Sequence, residues 1–103
     1  MESPNKMQFM VDFTLPKELT DEFVALIPRQ RAFINRLTEN GKLLTYALAL
    51  EHGKLWAVFS VDSETELLDL INELPLTPFM KVRMMELTFF NSSNPISTTF
   101  SVN

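Results

Sequence analysis

The chain contains no cysteine. Disulfides, thiolate catalysis and thiolate-ligated zinc are excluded together. A single histidine, His52, also rules out a multi-histidine metal site within one chain. Nine Lys and Arg stand against 13 Asp and Glu, and the basic residues form no cluster. Binding a phosphate backbone needs a basic stripe, so nucleic acid is not an expected partner. No apolar run approaches the roughly 20 residues of a membrane span, so no membrane partner is expected. The N-terminus lacks a basic segment followed by an apolar one, so no secretory signal is expected. A cytoplasmic location follows by elimination. Glycine is also scarce, and both copies, Gly41 and Gly53, fall between predicted elements.

Phenylalanine is what the chain has in excess. Nine Phe accompany one Tyr and one Trp, which favours a compact core or apolar interface over a polar, water-filled cleft. With 103 residues there is enough chain for one domain and one core, expected over 7–91. Residues 1–6 read as a loose leader. Residues 92–103, rich in Ser, Thr and Asn, read as a tail.

Residues 7–14 alternate: Phe9, Val11 and Phe13 on one face, Gln8, Met10, Asp12 and Thr14 on the other. That period of two predicts a strand with one buried face. Thr20 can cap a helix, and Asp21 and Glu22 suit its positive end. Phe23, Leu26, Ile27, Phe33, Ile34 and Leu37 form its apolar stripe. Pro28 lies inside, which predicts a bend or two shorter helices. Asn40-Gly41 closes the segment, with Gly41 as a left-handed cap. Residues 43–50 and 55–61 read as strands joined by a short loop containing Gly53. Ser63 caps a second helix, and Glu66 completes a capping box. Leu67, Leu70, Ile71 and Leu74 form its stripe. Residues 79–90 read as the last strand.

The order strand, helix, strand, strand, helix, strand is the split βαβ arrangement. It predicts an α+β, ferredoxin-like βαββαβ fold: a four-stranded antiparallel sheet with two helices on one face. The second sheet face is then uncovered, yet residues 43–50, 55–61 and 79–90 are largely apolar on both faces. Soluble proteins rarely tolerate so large an exposed patch. The expected remedy is a second copy packed sheet against sheet, giving a dimeric α+β barrel, as a homodimer or a higher homo-oligomer.

The run Leu74-Pro75-Leu76-Thr77-Pro78-Phe79-Met80 joins the second helix to the last strand. Proline restricts the residue before it, so Leu74 should end the helix and Thr77 should be extended. This run resembles the muconolactone Δ-isomerases, whose chains carry a similar Leu-Pro-Leu-x-Pro-aromatic-Met segment. The likeness extends to the first strand leading into Leu15-Pro16, to Arg36-Leu37 followed by Asn40-Gly41, and to Val58-Phe59 with Val61. It implies a homo-oligomer that moves a proton on a lactone without metal or organic cofactor. It also implies a pocket between sheet and helices, with a neighbouring subunit's tail near its mouth. The family's helix-one glutamate falls opposite Gln30. The family's basic second strand falls on residues 43–50, which hold no charge.

Isomerisation needs a base beside the carbonyl and an acid at the vinylogous carbon. Asp12 and Glu86 are the candidate bases: in the ferredoxin-like order the last strand neighbours the first, which allows the two to lie close, and their plainer reading is exposure on an edge. Gln30 and Tyr46 are candidates to orient or polarise the carbonyl. Their plainer readings are a stripe-edge amide and a core tyrosine with one satisfied hydroxyl. Arg29 is the candidate for a substrate carboxylate, since Arg29 and Arg31 point about 200° apart and at most one faces the pocket. Phe33, Trp56 and Phe79 are candidate lining residues, though aromatic stripes more often build core or interface. Arg83, Glu51 and His52 read as solvated or edge residues. Two functions follow. One is a cofactor-free isomerase acting on a small lactone or organic acid by proton transfer. The other is a non-catalytic small-molecule-binding or assembly module that kept the fold.

Overall fold

A computed structural model of the protein describes residues 6–91. Apart from Lys6, the expected leader and tail lie outside the described residues. The strands are β1 (Met7–Thr14), β2 (Leu43–Ala49), β3 (Lys54–Val61) and β4 (Lys81–Glu86). The helices are α1 (Asp21–Glu39) and α2 (Glu64–Glu73). All strand pairs are antiparallel, in the order β2-β3-β1-β4. This is the α+β, ferredoxin-like arrangement expected from the sequence, the fold of dimeric α+β barrels.

Local chemistry accounts for the helix ends. The Thr20 hydroxyl accepts from the Phe23 N–H at 3.2 Å and opens α1. Gly41, at φ 76°, closes it. Its N–H donates to the Thr38 carbonyl and the Lys42 N–H to the Leu37 carbonyl, the paired bonds of a Schellman turn. At α2 the Ser63 hydroxyl accepts from the Glu66 N–H at 3.1 Å. The return bond of the capping box shifts by one residue: the Glu66 carboxylate accepts from the Asp62 N–H at 2.7 Å.

Three local expectations need correction. Helix α1 runs as one helix through Pro28, so the alternative of two shorter helices is not adopted. Pro28 and Val24, one turn earlier, are both exposed, so the Val24 carbonyl that loses its partner faces water. Thr77 is not extended: Thr77–Phe79 form a 3₁₀ turn. The Thr77 hydroxyl donates to the Ile71 carbonyl at 2.7 Å and ties that turn back onto α2. The last strand is six residues long, Lys81–Glu86, with Phe79 inside the preceding turn.

The core lies between the sheet and both helices. Phe9, Val11 and Phe13 of β1 and Leu55, Ala57, Phe59 and Val61 of β3 meet Ile34 and Leu37 of α1 and Leu67 and Ile71 of α2. On β2 the ladder is irregular between Leu43 and Thr45. Leu43 opposes Phe59, but Tyr46 opposes Ala57 and Leu48 opposes Leu55. A bulge thus switches which residues of β2 face the helices, from odd to even numbers. It also brings Tyr46 under α1.

The opposite face is mixed. Trp56 and Met85 are 36% and 41% exposed there. Lys54 donates to the Asp12 carboxylate at 3.2 and 3.4 Å and to the Thr14 hydroxyl at 2.9 Å. No helix among the described residues is long and apolar enough to cross a membrane.

Candidate functional site

A half-enclosed cavity of about 510 Å³ opens between α1 and the β2–β3 edge of the sheet. Ligand pockets for small molecules run from about 300 to 1,000 Å³, so the space suits one small organic molecule. Its wall is mostly Leu, Ile, Phe and Met, including Phe23, Ile27, Ile34, Leu48, Leu55 and Met80. Its polar members are Gln30, Arg31, Asn35 and Tyr46. Among the described residues, no carboxylate and no imidazole lines the cavity.

Gln30 and Tyr46 form the polar centre. Gln30 is 4% exposed and sits on the buried side of α1. Its Nε2 donates to the Tyr46 hydroxyl at 3.2 Å. Its Oε1 accepts from the Leu76 N–H at 3.1 Å. One side chain thereby joins α1, β2 and the proline turn. Both heavy-atom ends of the amide are paired, as a buried amide requires. Burial pushes the Tyr46 phenol above its ordinary pKa, and the hydrogen bond from Gln30 pulls partly the other way. Tyr46 therefore stays protonated at neutral pH.

The other candidates fall elsewhere. Asp12 and Glu86 do not make a carboxylate pair. Asp12 opposes Arg83 and Glu86 opposes Phe9, three positions apart along β1 and so on opposite sheet faces. Asp12 lies on the face away from the cavity, paired with Lys54. Glu86 is exposed at the end of β4. Arg29 is exposed and does not line the cavity; Arg31 does. Helical spacing explains the exchange, since Ile27, Ile34 and Gln30 bracket the face on whose shoulder Arg31 lies. Phe33 packs at the core margin with the Arg36 guanidinium 5.2 Å from its ring. Trp56 opposes Asp12 on the outer sheet face. Phe79 backs the wall, edge-on to Phe23 at 5.8 Å. Glu51 and His52 are exposed in the β2–β3 connection.

Sequence reasoning missed Asn35, Met80 and the Leu76 N–H. Asn35 is four residues beyond Arg31 and shares its helix face, a signal that was available. A backbone donor carries no side-chain signal.

Fold and cavity define a class: a ferredoxin-like α+β protein with a small, mostly apolar pocket between helix and sheet. The sequence profile of the muconolactone delta-isomerase family matches residues 7–93, so the chain belongs to that family. A muconolactone isomerase crystal structure is similar at 28% identity and a TM-score of 0.70, covering 84% of this chain and 94% of that one. SnoaB, a cofactor-independent oxygenase from Streptomyces nogalater, aligns at 12% identity and a TM-score of 0.44, over 85% of this chain and 96% of that one. A search of curated proteins returns no match.

Proposed function

We propose that this isomerase-like protein binds a small lactone or carbonyl-bearing organic acid in the α1–β2 cavity. The observation that carries the reading is the Gln30–Tyr46 hydrogen bond at 3.2 Å inside an otherwise apolar wall. Few convergent polar groups on an apolar pocket are the usual means of orienting a small ligand. Tyr46 meets the ligand's carbonyl oxygen, and Arg31 at the wall takes a carboxylate. A hydrogen bond to a carbonyl stabilises the enolate that forms when the adjacent C–H loses its proton. The chain's own lining residues thus supply the electrophilic half of a proton shift, with no cofactor.

Full turnover as a lactone isomerase is the second reading. Family membership over residues 7–93 favours it. Among the described residues the lining is apolar apart from Gln30, Arg31, Asn35 and Tyr46, which favours binding without turnover. Calorimetric titration with muconolactone and with a saturated γ-lactone tests binding, and absorbance under the same conditions tests turnover. No heat of binding at millimolar ligand would defeat the first reading. Conversion above background would promote the second.

We also propose self-association. Met10, Ala47, Trp56 and Met85 form an apolar strip across the outer sheet face above the buried Val58, and a second copy packed there would cover it. Sedimentation velocity at micromolar protomer is the test; a stable monomer would refute it.

A further inference from the structure

Gln30 does more than fill a gap between three elements. Leu76 N–H is a backbone donor and has nothing to accept with. The group of Gln30 that faces it at 3.1 Å must therefore be the carbonyl oxygen. That choice decides the orientation of the whole amide, which would otherwise be ambiguous between oxygen and nitrogen. Nε2 then faces the Tyr46 hydroxyl, and an amide nitrogen only donates. Tyr46 Oη is the acceptor in that bond. Its own proton cannot also lie along the Gln30–Tyr46 line, so it is free to donate to a group in the cavity that Tyr46 lines beside Arg31 and Asn35.

We infer that the chain Leu76 N–H, Gln30, Tyr46 is a directional relay that makes the cavity selective for a ligand oxygen that accepts. Gln30 is a positioning residue in this device: with its oxygen held by the Leu76 N–H and its nitrogen by Tyr46, it sets the sense of the Tyr46 hydroxyl. The site takes lactones, ketones, esters and carboxylates, and it discriminates against ammonium ions, such as protonated alkylamines, and other groups that offer only donors. This rests on the reading of the cavity as a ligand site. It deepens that reading by naming the hydrogen-bonding class of the ligand.

A glutamate at the same position reverses the polarity. The carboxylate of Gln30→Glu can accept from Leu76 N–H and from Tyr46 O–H at once. The phenol proton then points into the protein, and the cavity is left facing an oxygen lone pair. Arg31, the cationic lining residue, is unchanged by this substitution.

Two measurements test the relay. Tyr46 is the only tyrosine, so the absorbance of ionised phenol reports its titration alone. Gln30→Met keeps the length of the side chain and removes the donor that steadies the phenolate. The midpoint should move upward from the wild-type value. A downward move means that Gln30 was accepting from Tyr46, and no move means that the bond does not bear on the phenol; either overturns the relay. This arm needs no ligand, so it stands even if the cavity binds nothing. The second arm compares calorimetric binding of γ-butyrolactone with that of cyclopentylamine. The wild type should prefer the lactone, and Gln30→Glu should lose about fivefold in lactone affinity, the scale of one ordinary hydrogen bond. Equal lactone affinity in the two proteins overturns the relay. If neither protein binds the lactone, the ligand-site reading and the selectivity drawn from it both fail, while the titration still decides the hydroxyl's direction.

Discussion

Gln30→Ala is the perturbation that most directly weighs the polar centre against the apolar packing around it. The substitution removes two hydrogen bonds, from Leu76 N–H at 3.1 Å and to Tyr46 Oη at 3.2 Å. Each such bond contributes about 0.5–1.5 kcal/mol net. The site adjoins a cavity of about 510 Å³, so water can reach the groups left behind and the full penalty of a dry orphan is avoided. The expected loss is about 2 kcal/mol. For a chain of this length that lowers Tm by about 8–16 °C. Calorimetric melts at matched protomer concentration measure it, because association would make Tm depend on concentration. Tyr46→Phe alone removes one of the two bonds and should cost about 1 kcal/mol. In the double-mutant cycle the two substitutions should couple by about 0.5–1.5 kcal/mol, the worth of the shared bond. Additive effects, or a Gln30→Ala melt within about 2 °C of wild type, would show that the amide bridge carries no stability.

Other expectations follow from the same structure. Leu67 has no exposed surface, so Leu67→Ala should cost about 3–5 kcal/mol by chemical denaturation; a loss under about 1 kcal/mol would mean that the core collapses around it. Ser63→Ala removes the cap of α2 and should cost about 1 kcal/mol, with no change in denaturant slope. Glu66 is held below its ordinary pKa of 4.5 by the Asp62 N–H and then by the Lys42 ammonium. A depressed carboxyl stabilises above its unfolded pKa, so this contribution is complete above pH 4.5 and lost as pH falls through the folded value. Lys42 is raised from 10.5, chiefly by its bond to Glu66, so its contribution is complete below that pH and fades as pH rises through the folded value. Glu66→Gln should flatten the acid limb of a Tm-against-pH profile; an unchanged limb would assign acid lability to other groups. Trp56→Asp on the outer sheet face should weaken self-association in sedimentation velocity, and an unchanged distribution would move the interface elsewhere.

Much of this architecture depends on local rules that a chain declares in its own order. Period-two alternation in residues 7–14 marked β1, and Thr20, Gly41 and Ser63 marked helix ends through caps that act over three or four residues. The alternation of elements was enough to identify the ferredoxin-like arrangement, because few topologies accommodate βαββαβ. Pro28 does not split α1 into two helices, since Val24 and Pro28 lie on the exposed side where an unpaired carbonyl meets water, and exposure is a tertiary property.

The cavity was only half legible. Gln30 and Tyr46 stood out as polar residues in apolar settings, which is a sequence observation. Their meeting depends on the irregularity near Leu44, which changes the face that β2 presents, and on a backbone N–H in a turn 46 positions after Gln30. Asp12 and Glu86 show the converse. Neighbouring strands suggested a pair, but a register offset of three positions put them on opposite faces. Composition, caps and periodicity act through near neighbours and can be read along the chain. Register, bulges and the facing of one element against another arise only when distant segments pack, and they settled which side chains share the cavity.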